Sequence, residues 1–147
     1  MPAFLGGSGE AGGTLMYVLD TNICSYFMRN QYPDLTAKLF SHNPDDLAIS
    51  SVTVFELEYG AGKRNWGKNM RQKMAMFLAP FSVLPFTVDD AVAAGNIRCT
   101  LEKLGESIGP YDTMIAAQGL SHGYTVITHN IREFIRVPGL HVEDWVV

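Results

Sequence analysis

The stretch MYVLDTN (residues 16–22) decides the fold class of this chain. Its first four residues are apolar or aromatic and predict a short buried strand, and Asp20 stands where a strand gives way to a helix. Further short apolar runs predict strands at 47–49, 83–86, 124–128 and 140–142, with helical periodicity between most of them. The helix after the second strand is predicted to end at the glycines of residues 60–62, and Asn69 is the predicted cap of the next helix. Strands that alternate with helices pair in parallel through crossovers, so the sequence predicts an α/β sandwich.

The residues before this stretch, MPAFLGGSGEAGGTL (1–15), show no periodicity and are rich in Gly, Ala and Ser. We interpret residues 1–15 as a vector-derived or flexible leader, with a genuine disordered N-terminus as the alternative, and 16–147 as one domain. A chain of 147 residues is long enough for one core. The leader lacks the pattern of a secretory signal, and the longest apolar runs are too short to cross a bilayer.

The composition narrows the function classes. A hydrophobic fraction of 47% fits a globular protein, and a net charge of −4 argues against a protein that coats nucleic acid by bulk charge. The two cysteines, Cys24 and Cys99, form neither a disulfide framework nor a CxxC pair, which suits a reducing compartment. We therefore expect a cytoplasmic protein in which any RNA contact is made by a local basic patch.

Several acids and one amide stand near predicted strand ends. Asp20 follows the first strand, Glu56 lies one turn into the helix after the second, and Asn130 and Glu133 follow the fourth. Asp112 lies in the first turn of a later helix. Because ligands of parallel sheets bind outside the carboxyl ends of the strands, these side chains are candidates for one common site.

Each acid also has a structural explanation. Asp20 is a typical N-cap, Thr53 and Glu56 have the spacing of a capping box, and the helix dipole favours Asp112 where it stands. Taken together, converging carboxylates repel one another unless a cation neutralises them. Oxygen ligands without a Cys/His set indicate Mg²⁺ or Mn²⁺, which would lower the pKa of a bound water and neutralise a phosphodiester.

Five segments of the chain resemble the motifs of one family. VLDTN (18–22) resembles the opening motif of PIN domains, ISSVTVFELEYGA (49–61) their second motif and GPYDTMIAA (109–117) their third. THNIREF (128–134) resembles their fourth motif, and PGLHVEDW (138–145) is similar to the closing segment of the VapC-type PIN-domain toxins. One such motif would be weak evidence, whereas four in order followed by the closing segment are specific.

The resemblance implies a fold and an activity. The fold is the PIN-like three-layer α/β/α sandwich around a mostly parallel sheet. The activity is that of a Mg²⁺- or Mn²⁺-dependent endoribonuclease toxin of a VapBC toxin–antitoxin system, which cuts structured RNA, often tRNA, in the bacterial cytoplasm. The resemblance also implies a homodimer and a cognate VapB-like antitoxin. That antitoxin blocks the site and, in complex with the toxin, binds the operator DNA.

The resemblance also implies roles for particular residues. It makes Asp20, Glu56 and Asp112 catalytic acids, with Asp20 and Asp112 as metal ligands and Thr21 and Asn22 as supporting residues of the first motif. The chain departs from many PIN domains in carrying Asn130 where they have Asp. VapC toxins with the Arg-Glu-Phe ending use the Glu, so the fourth catalytic acid is predicted to be Glu133. Asn130 then remains as a neutral group that orients a water or a ligand.

A basic segment lies between the second and third motifs. Residues 63–73 hold five of the eleven Lys and Arg residues and no acid, with Trp66 available to stack on a base. The alternative is a solvated helix face. The predicted RNA-binding residues are Lys63, Arg64, Lys68 and Arg71, together with Arg132 beside the fourth motif.

Two other functions compete with a nuclease. A phosphoryl-transfer hydrolase with Asp20 as nucleophile, of the haloacid-dehalogenase type, would need a second Asp two positions on, where this chain has Asn22. The other alternative is a catalytically silent PIN-fold module that acts only through antitoxin or operator contacts. The presence of Asp20, Glu56 and Asp112 argues against it, and metal-dependent cleavage separates the two.

Overall fold

A computed structural model describes residues 16–147, and the predicted leader (1–15) lies outside them. Its centre is a sheet of five strands, all parallel, in the order β3-β2-β1-β4-β5. The strands are β1 (Tyr17–Leu19), β2 (Leu47–Ser50), β3 (Ser82–Leu84), β4 (Thr125–Ile127) and β5 (Val142–Glu143).

Seven helices connect the strands in the described part of the chain. They are α1 (Thr21–Met28), α2 (Pro33–Phe40), α3 (Ser51–Lys63), α4 (Lys68–Leu78), α5 (Val88–Leu104), α6 (Pro110–His122) and α7 (Ile131–Phe134). A 3₁₀ turn at Pro44–Asp46 precedes β2. Among residues 16–147, no helix is long and apolar enough to cross a membrane.

Two hydrophobic cores confirm the predicted α/β/α layering. Alternate residues of β1 enter different cores: Leu19 packs with Ile23 and Phe27 of α1, whereas Val18 packs with Ile97 of α5 and Ile115 of α6. This alternation is what a strand with both faces covered requires. The predicted mostly parallel sheet is therefore confirmed, and in the described residues it is wholly parallel.

The helix boundaries correct three details of the sequence interpretation. Ser50, not Thr53, caps α3, because its hydroxyl accepts the amide of Val52 at 2.9 Å. The same helix continues through Gly60 and Gly62 to Lys63. The buried side chains of Leu57 and Ala61 hold it against the core, which outweighs the low helix propensity of glycine. Helix α4 begins after Gly67, two residues before the predicted cap at Asn69.

Helix α6 lies directly on β4, and a glycine permits this contact. A Cβ at Gly119 would meet Cγ2 of Val126 at 2.7 Å and Cδ1 of Leu140 at 3.0 Å, so nothing larger than glycine fits without movement. The first turn of the same helix carries Asp112. The packing at Gly119 thus helps to set where Asp112 lies.

Candidate active site

Asp20 ends β1 and is held by hydrogen bonds at both carboxylate oxygens. Oδ1 accepts the amide of Ile23 at 2.8 Å, so the predicted N-cap interaction is present. Oδ2 accepts the hydroxyl of Thr128 at 2.6 Å. The residue is 3% exposed. Asp20 therefore caps α1 and is also fixed in orientation at the carboxyl end of the central strand.

Thr128 is a site residue that the sequence analysis did not single out. Its hydroxyl donates to Asp20 and accepts the backbone amide of Asn130 at 2.9 Å, which directs the hydroxyl proton towards the carboxylate. The register of the sheet pairs Leu19 with Ile127. The residues that follow, 20 and 128, are therefore neighbours across parallel strands, and knowledge of that pairing would have identified Thr128.

Glu56 is joined to the first motif by hydroxyl groups. The Thr21 hydroxyl donates to Oε1 of Glu56 at 2.7 Å and lies 3.1 Å from Oγ1 of Thr53. Thr53 is buried inside α3 and does not cap it, so the capping-box explanation of Glu56 is wrong. The contact ties the start of α1 to the second turn of α3 and holds Glu56 on the same side of the sheet as Asp20.

Asp112 experiences the charges of all three other predicted acids. Partial burial, the negative charges of Asp20, Glu133 and Glu56, and a hydrogen bond with Glu133 together raise its pKa to about 7. Charges act this strongly only over short distances. The structure thus brings together side chains that are far apart in sequence: Asp20, Glu56, Asp112 and Glu133.

Asp20 has a raised pKa for a different main reason. Burial raises its pKa to about 6, although the hydrogen bonds from Thr128 and Ile23 oppose this shift. The charge of Glu56 adds to the increase, whereas that of His129 lowers the pKa. A carboxylate that is both desolvated and close to other acids is stabilised by a bound cation.

The chemistry of these donors fits a hard divalent cation. The group offers carboxylate and hydroxyl oxygens, which Mg²⁺ and Mn²⁺ prefer, and the repulsion at Asp112 is the condition that a cation relieves. Within residues 16–147, however, no three Asp, Glu, His or Cys side chains already meet as ligands around one point. A Mg²⁺ ion that keeps several waters needs only one or two direct carboxylate ligands.

The two predicted supporting amides lie at the margin of this group. Asn22 is exposed on the first turn of α1. Asn130 caps α7 without a side-chain hydrogen bond, and its backbone amide holds Thr128. Glu133 lies one turn further along α7, beside the buried Phe134, which anchors this short helix in the core.

The predicted basic segment joins α3 to α4 beside a groove. The groove has a volume of about 220 Å³ and runs from Thr21 and Glu56 to Trp66 and Lys73, with an apolar floor of Leu57, Met74 and Phe77. Arg64 also lines it, with its guanidinium carbon 5.7 Å from the Trp66 ring centre.

The other predicted basic residues differ in their surroundings. Arg71 donates to Glu58 at 2.8 Å, so part of its charge is neutralised by an acid from α3. Lys63 and Lys68 are exposed at the end of α3 and the start of α4, and Arg132 is exposed on α7. The basic segment therefore borders the groove, whereas Arg132 lies on the same short helix as Glu133.

Comparison with known proteins identifies the relatives of this arrangement. The sequence pattern of the PIN domain family matches residues 17–140. The chain is 38% identical over 131 residues to the tRNA(fMet)-specific endonuclease VapC of Salmonella typhimurium, an alignment that covers 89% of this chain and 98% of that protein.

Solved structures agree with this relationship. VapBC2 from Rickettsia felis, bound to a DNA fragment from its promoter, matches with a TM-score of 0.80 and 32% identity, over 89% of this chain and 99% of that one. DNA-bound VapBC from Salmonella typhimurium matches with a TM-score of 0.78 and 36% identity, over 90% and 99%.

Proposed function

The chain belongs to the PIN domain family, among the VapC ribonucleases, and on that basis we propose that it is a metal-dependent endoribonuclease toxin. Its substrate is proposed to be structured RNA, with tRNA as the first candidate because the Salmonella typhimurium relative is a tRNA(fMet)-specific endonuclease. The VapBC relatives support a VapB-like antitoxin as its partner, with operator DNA contacted through the complex.

The observation that carries this proposal is the mutual repulsion of the acids. Asp112 has a pKa raised to about 7 by Asp20, Glu133 and Glu56 in addition to its own burial. A purely structural cluster would pair such acids with basic side chains. Here the acids lie beside the carboxyl edge of a parallel sheet, where α/β proteins bind their ligands.

Each residue has a proposed task in RNA hydrolysis. Asp20 and Asp112 would hold a Mg²⁺ or Mn²⁺ ion, with Thr128 and Ile23 keeping the Asp20 carboxylate in one orientation. The bound ion would supply charge neutralisation and a water of lowered pKa. Glu56, fixed by Thr21, and Glu133 would accept the proton of the attacking water or orient it.

The groove beside Glu56 is the proposed docking place of the antitoxin. Its apolar floor suits the apolar face of a peptide segment, and its upper end reaches Thr21 and Glu56. A segment bound there would cover the carboxylates, and a basic side chain from it would neutralise them. Inhibition by the antitoxin then follows from occupation of the site itself.

A second copy of the chain is the other proposed protein partner. Phe55, Tyr59 and Tyr111 are large and exposed, and the rings of Phe55 and Tyr111 lie 5.5 Å apart. Exposed aromatic surface of this kind is typical of interfaces. We propose that a homodimer covers it, which sedimentation of Tyr59→Glu beside the wild type tests by the loss of the dimer.

The decisive experiment is incubation of the purified protein with cellular RNA, with and without Mg²⁺, followed by mapping of the new 5′ ends. We expect discrete cuts, concentrated in tRNA, that require the metal and disappear in Asp20→Asn. Cuts that persist in a chelator would contradict metal dependence. If no metal restores any cleavage while antitoxin still binds, the protein is the silent binding module instead.

A further inference from the structure

A histidine and two tyrosines that have no task in the proposed mechanism lie beside Asp20. His129 directly follows Thr128, and its ring centre lies 6.3 Å from that of Tyr26 and 6.1 Å from that of Tyr32. The two tyrosine rings meet edge to face at 5.0 Å. We call these three residues the His129 cluster.

The imidazole of His129 is held in place by a carboxylate. Its Nδ1 lies 2.9 Å from Oδ2 of Asp144, whose side chain is only 14% exposed. The other oxygen of Asp144 accepts the backbone amide of Val146 at 2.9 Å, so the carboxylate is itself fixed. A histidine with Nδ1 bound in this way presents Nε2 on the opposite edge of the ring. The His129 side chain is 41% exposed and thus accessible to a ligand.

The His129 cluster contacts a different face of α1 from the one that lines the groove. His129 directly follows Thr128, whose hydroxyl donates to the Asp20 carboxylate at 2.6 Å, so the ring lies next to the site. Tyr26 lies four residues after Asn22 on α1, so both share one face of that helix. The groove is lined by Thr21, Ser25 and Met28 from a different face. An RNA strand that crosses the carboxylates would therefore have both the groove and the His129 cluster within reach.

We propose that the His129 cluster is a nucleotide subsite of the RNA substrate. A base next to the scissile phosphate stacks on the rings of the cluster, and Nε2 of His129 contacts the adjoining ribose or phosphate. Unpaired RNA bases bind aromatic and histidine rings in this way, with little dependence on sequence. The proposal rests on the ribonuclease function proposed above. In it, the His129 cluster determines how the RNA strand is oriented across the carboxylates.

The alternative is that the cluster only attaches the segment after β4 to α1. The chain offers a matched control, because His122 has the same kinds of neighbours before β4 that His129 has after it. Nε2 of His122 lies 3.4 Å from Asp90, and its ring stacks on Tyr124 at 5.2 Å. A loss of RNA contact that affected both histidines equally would reflect packing alone.

The test uses a short single-stranded RNA that carries 2-aminopurine, whose fluorescence is quenched when the base stacks. It is titrated with the full chain carrying Asp20→Asn, so that binding is measured without cleavage. We expect quenching that is lost with His129→Ala or Tyr32→Leu and retained with Tyr32→Phe, which keeps the ring. The dissociation constant should rise about tenfold in the first two variants, as expected for the loss of one stacked base, and stay unchanged with His122→Ala.

Equal quenching and affinity in His129→Ala, Tyr32→Leu and His122→Ala would overturn the subsite. So would quenching lost together with thermal stability in every variant, Tyr32→Phe included. This test and the cleavage experiment can fail separately. If the wild-type protein does not cut RNA, the ribonuclease proposal is contradicted. If it cuts RNA but substitutions in the His129 cluster have no effect, only the subsite is contradicted. In the cleaving protein, His129→Ala should raise KM about tenfold and change kcat far less.

Discussion

Two buried aspartates near opposite ends of α6 have opposite pKa shifts. Asp20, close to Asp112 at the start of the helix, is 3% exposed and has a pKa raised to about 6. Asp90, which contacts Ser121 at the end of the helix, is 1% exposed. Burial alone would raise its pKa, but hydrogen bonds from Thr87, Ser121 and Gln118 outweigh burial and lower it.

The difference lies in the neighbours. Asp90 completes the capping box of α5 with Thr87, and it also accepts the side chains of Gln118 and Ser121. Asp20 accepts two hydrogen bonds, and the charges of Glu56 and Asp112 act on the same site. A satisfied buried carboxylate stabilises a fold, whereas one left close to like charges keeps capacity for a ligand. The two aspartates thus differ in their surroundings as a structural acid differs from one that we propose to bind a ligand.

The largest expected effect comes from exchanging one carboxylate oxygen at each aspartate. Asp20→Asn should lower the single-turnover cleavage rate at least a thousandfold, about 4 kcal/mol of transition-state stabilisation, with the circular dichroism unchanged. Asp90→Asn should leave cleavage within about threefold of the wild type and lower the free energy of unfolding by about 1–3 kcal/mol, the usual cost of leaving a buried polar group unpaired. Cleavage by Asp20→Asn at close to the wild-type rate would contradict the proposed difference between Asp20 and Asp90.

The second prediction concerns the fourth acid. Glu133→Gln should lower the cleavage rate at least about tenfold, or about 1.4 kcal/mol, because orienting water or holding a cation requires a negative oxygen. Asn130→Ala should cost less, since the backbone amide of Asn130, not its side chain, supports Thr128. The reverse order of the two rates would indicate a site of three carboxylates oriented by the Asn130 side chain.

The third prediction uses the stability of the protein without metal. The folded pKa of Asp112, about 7, lies above its unfolded value of about 3.9, so the fold favours the protonated form. Its contribution to stability is then fully present below about pH 4 and is lost as the pH rises to about 7. Asp112→Asn should therefore stabilise the metal-free protein at pH 8 by about 1 kcal/mol after solvent screening.

Thermal denaturation across this pH range, in a chelator, measures the effect. The advantage of Asp112→Asn should vanish near pH 4, where the wild-type carboxyl is protonated. Added Mg²⁺ should stabilise the wild type more than the variant. A variant less stable than the wild type at pH 8 would show that Asp112 resembles Asp90 and not Asp20.

The smallest expected effect concerns the basic segment. Replacing Arg64, Lys68 and Arg71 with Gln should weaken RNA binding and flatten its salt dependence by about 0.7 units of slope for each lost phosphate contact. Arg71 should contribute least, because Glu58 already pairs with it. Arg98→Gln, an exposed arginine paired with Glu102 on α5, is the control. If the salt dependence of RNA binding does not change, the basic segment is only a solvated helix face.

Much of the fold was predictable because three of the strands are short apolar runs that end at a polar residue. The positions of β1, β2 and β4 follow from this pattern, and so does their parallel pairing. The start of α3 could not be predicted from the sequence, because Ser50 and Thr53 are both good capping residues. Only the extent of β2 in the folded sheet decides between them. The glycines of α3 misled for a related reason, since tertiary contacts of Leu57 and Ala61 override local propensity.

The site was predictable as a set of acids and not as an arrangement. Strand-end placement brought forward Asp20, Glu56 and Glu133, and the resemblance of the third motif added Asp112; the structure brings these four acids together. The contacts of the Thr128 hydroxyl and of the His129–Asp144 pair could not be predicted, because they depend on which strands are neighbours in the sheet. Spacing along one chain does not contain that information.

The close contact at Gly119 has a consequence for how the active site tolerates change. Gly119 lies seven positions after Asp112 on α6, about 10 Å along the helix at the usual rise, and it is the point where the helix contacts β4 most closely. A methyl group at residue 119 would push α6 away from Val126 and displace the first turn of the helix, which carries Asp112. The position of Asp112 relative to the other carboxylates thus depends on a residue that has no side chain and takes no part in the reaction.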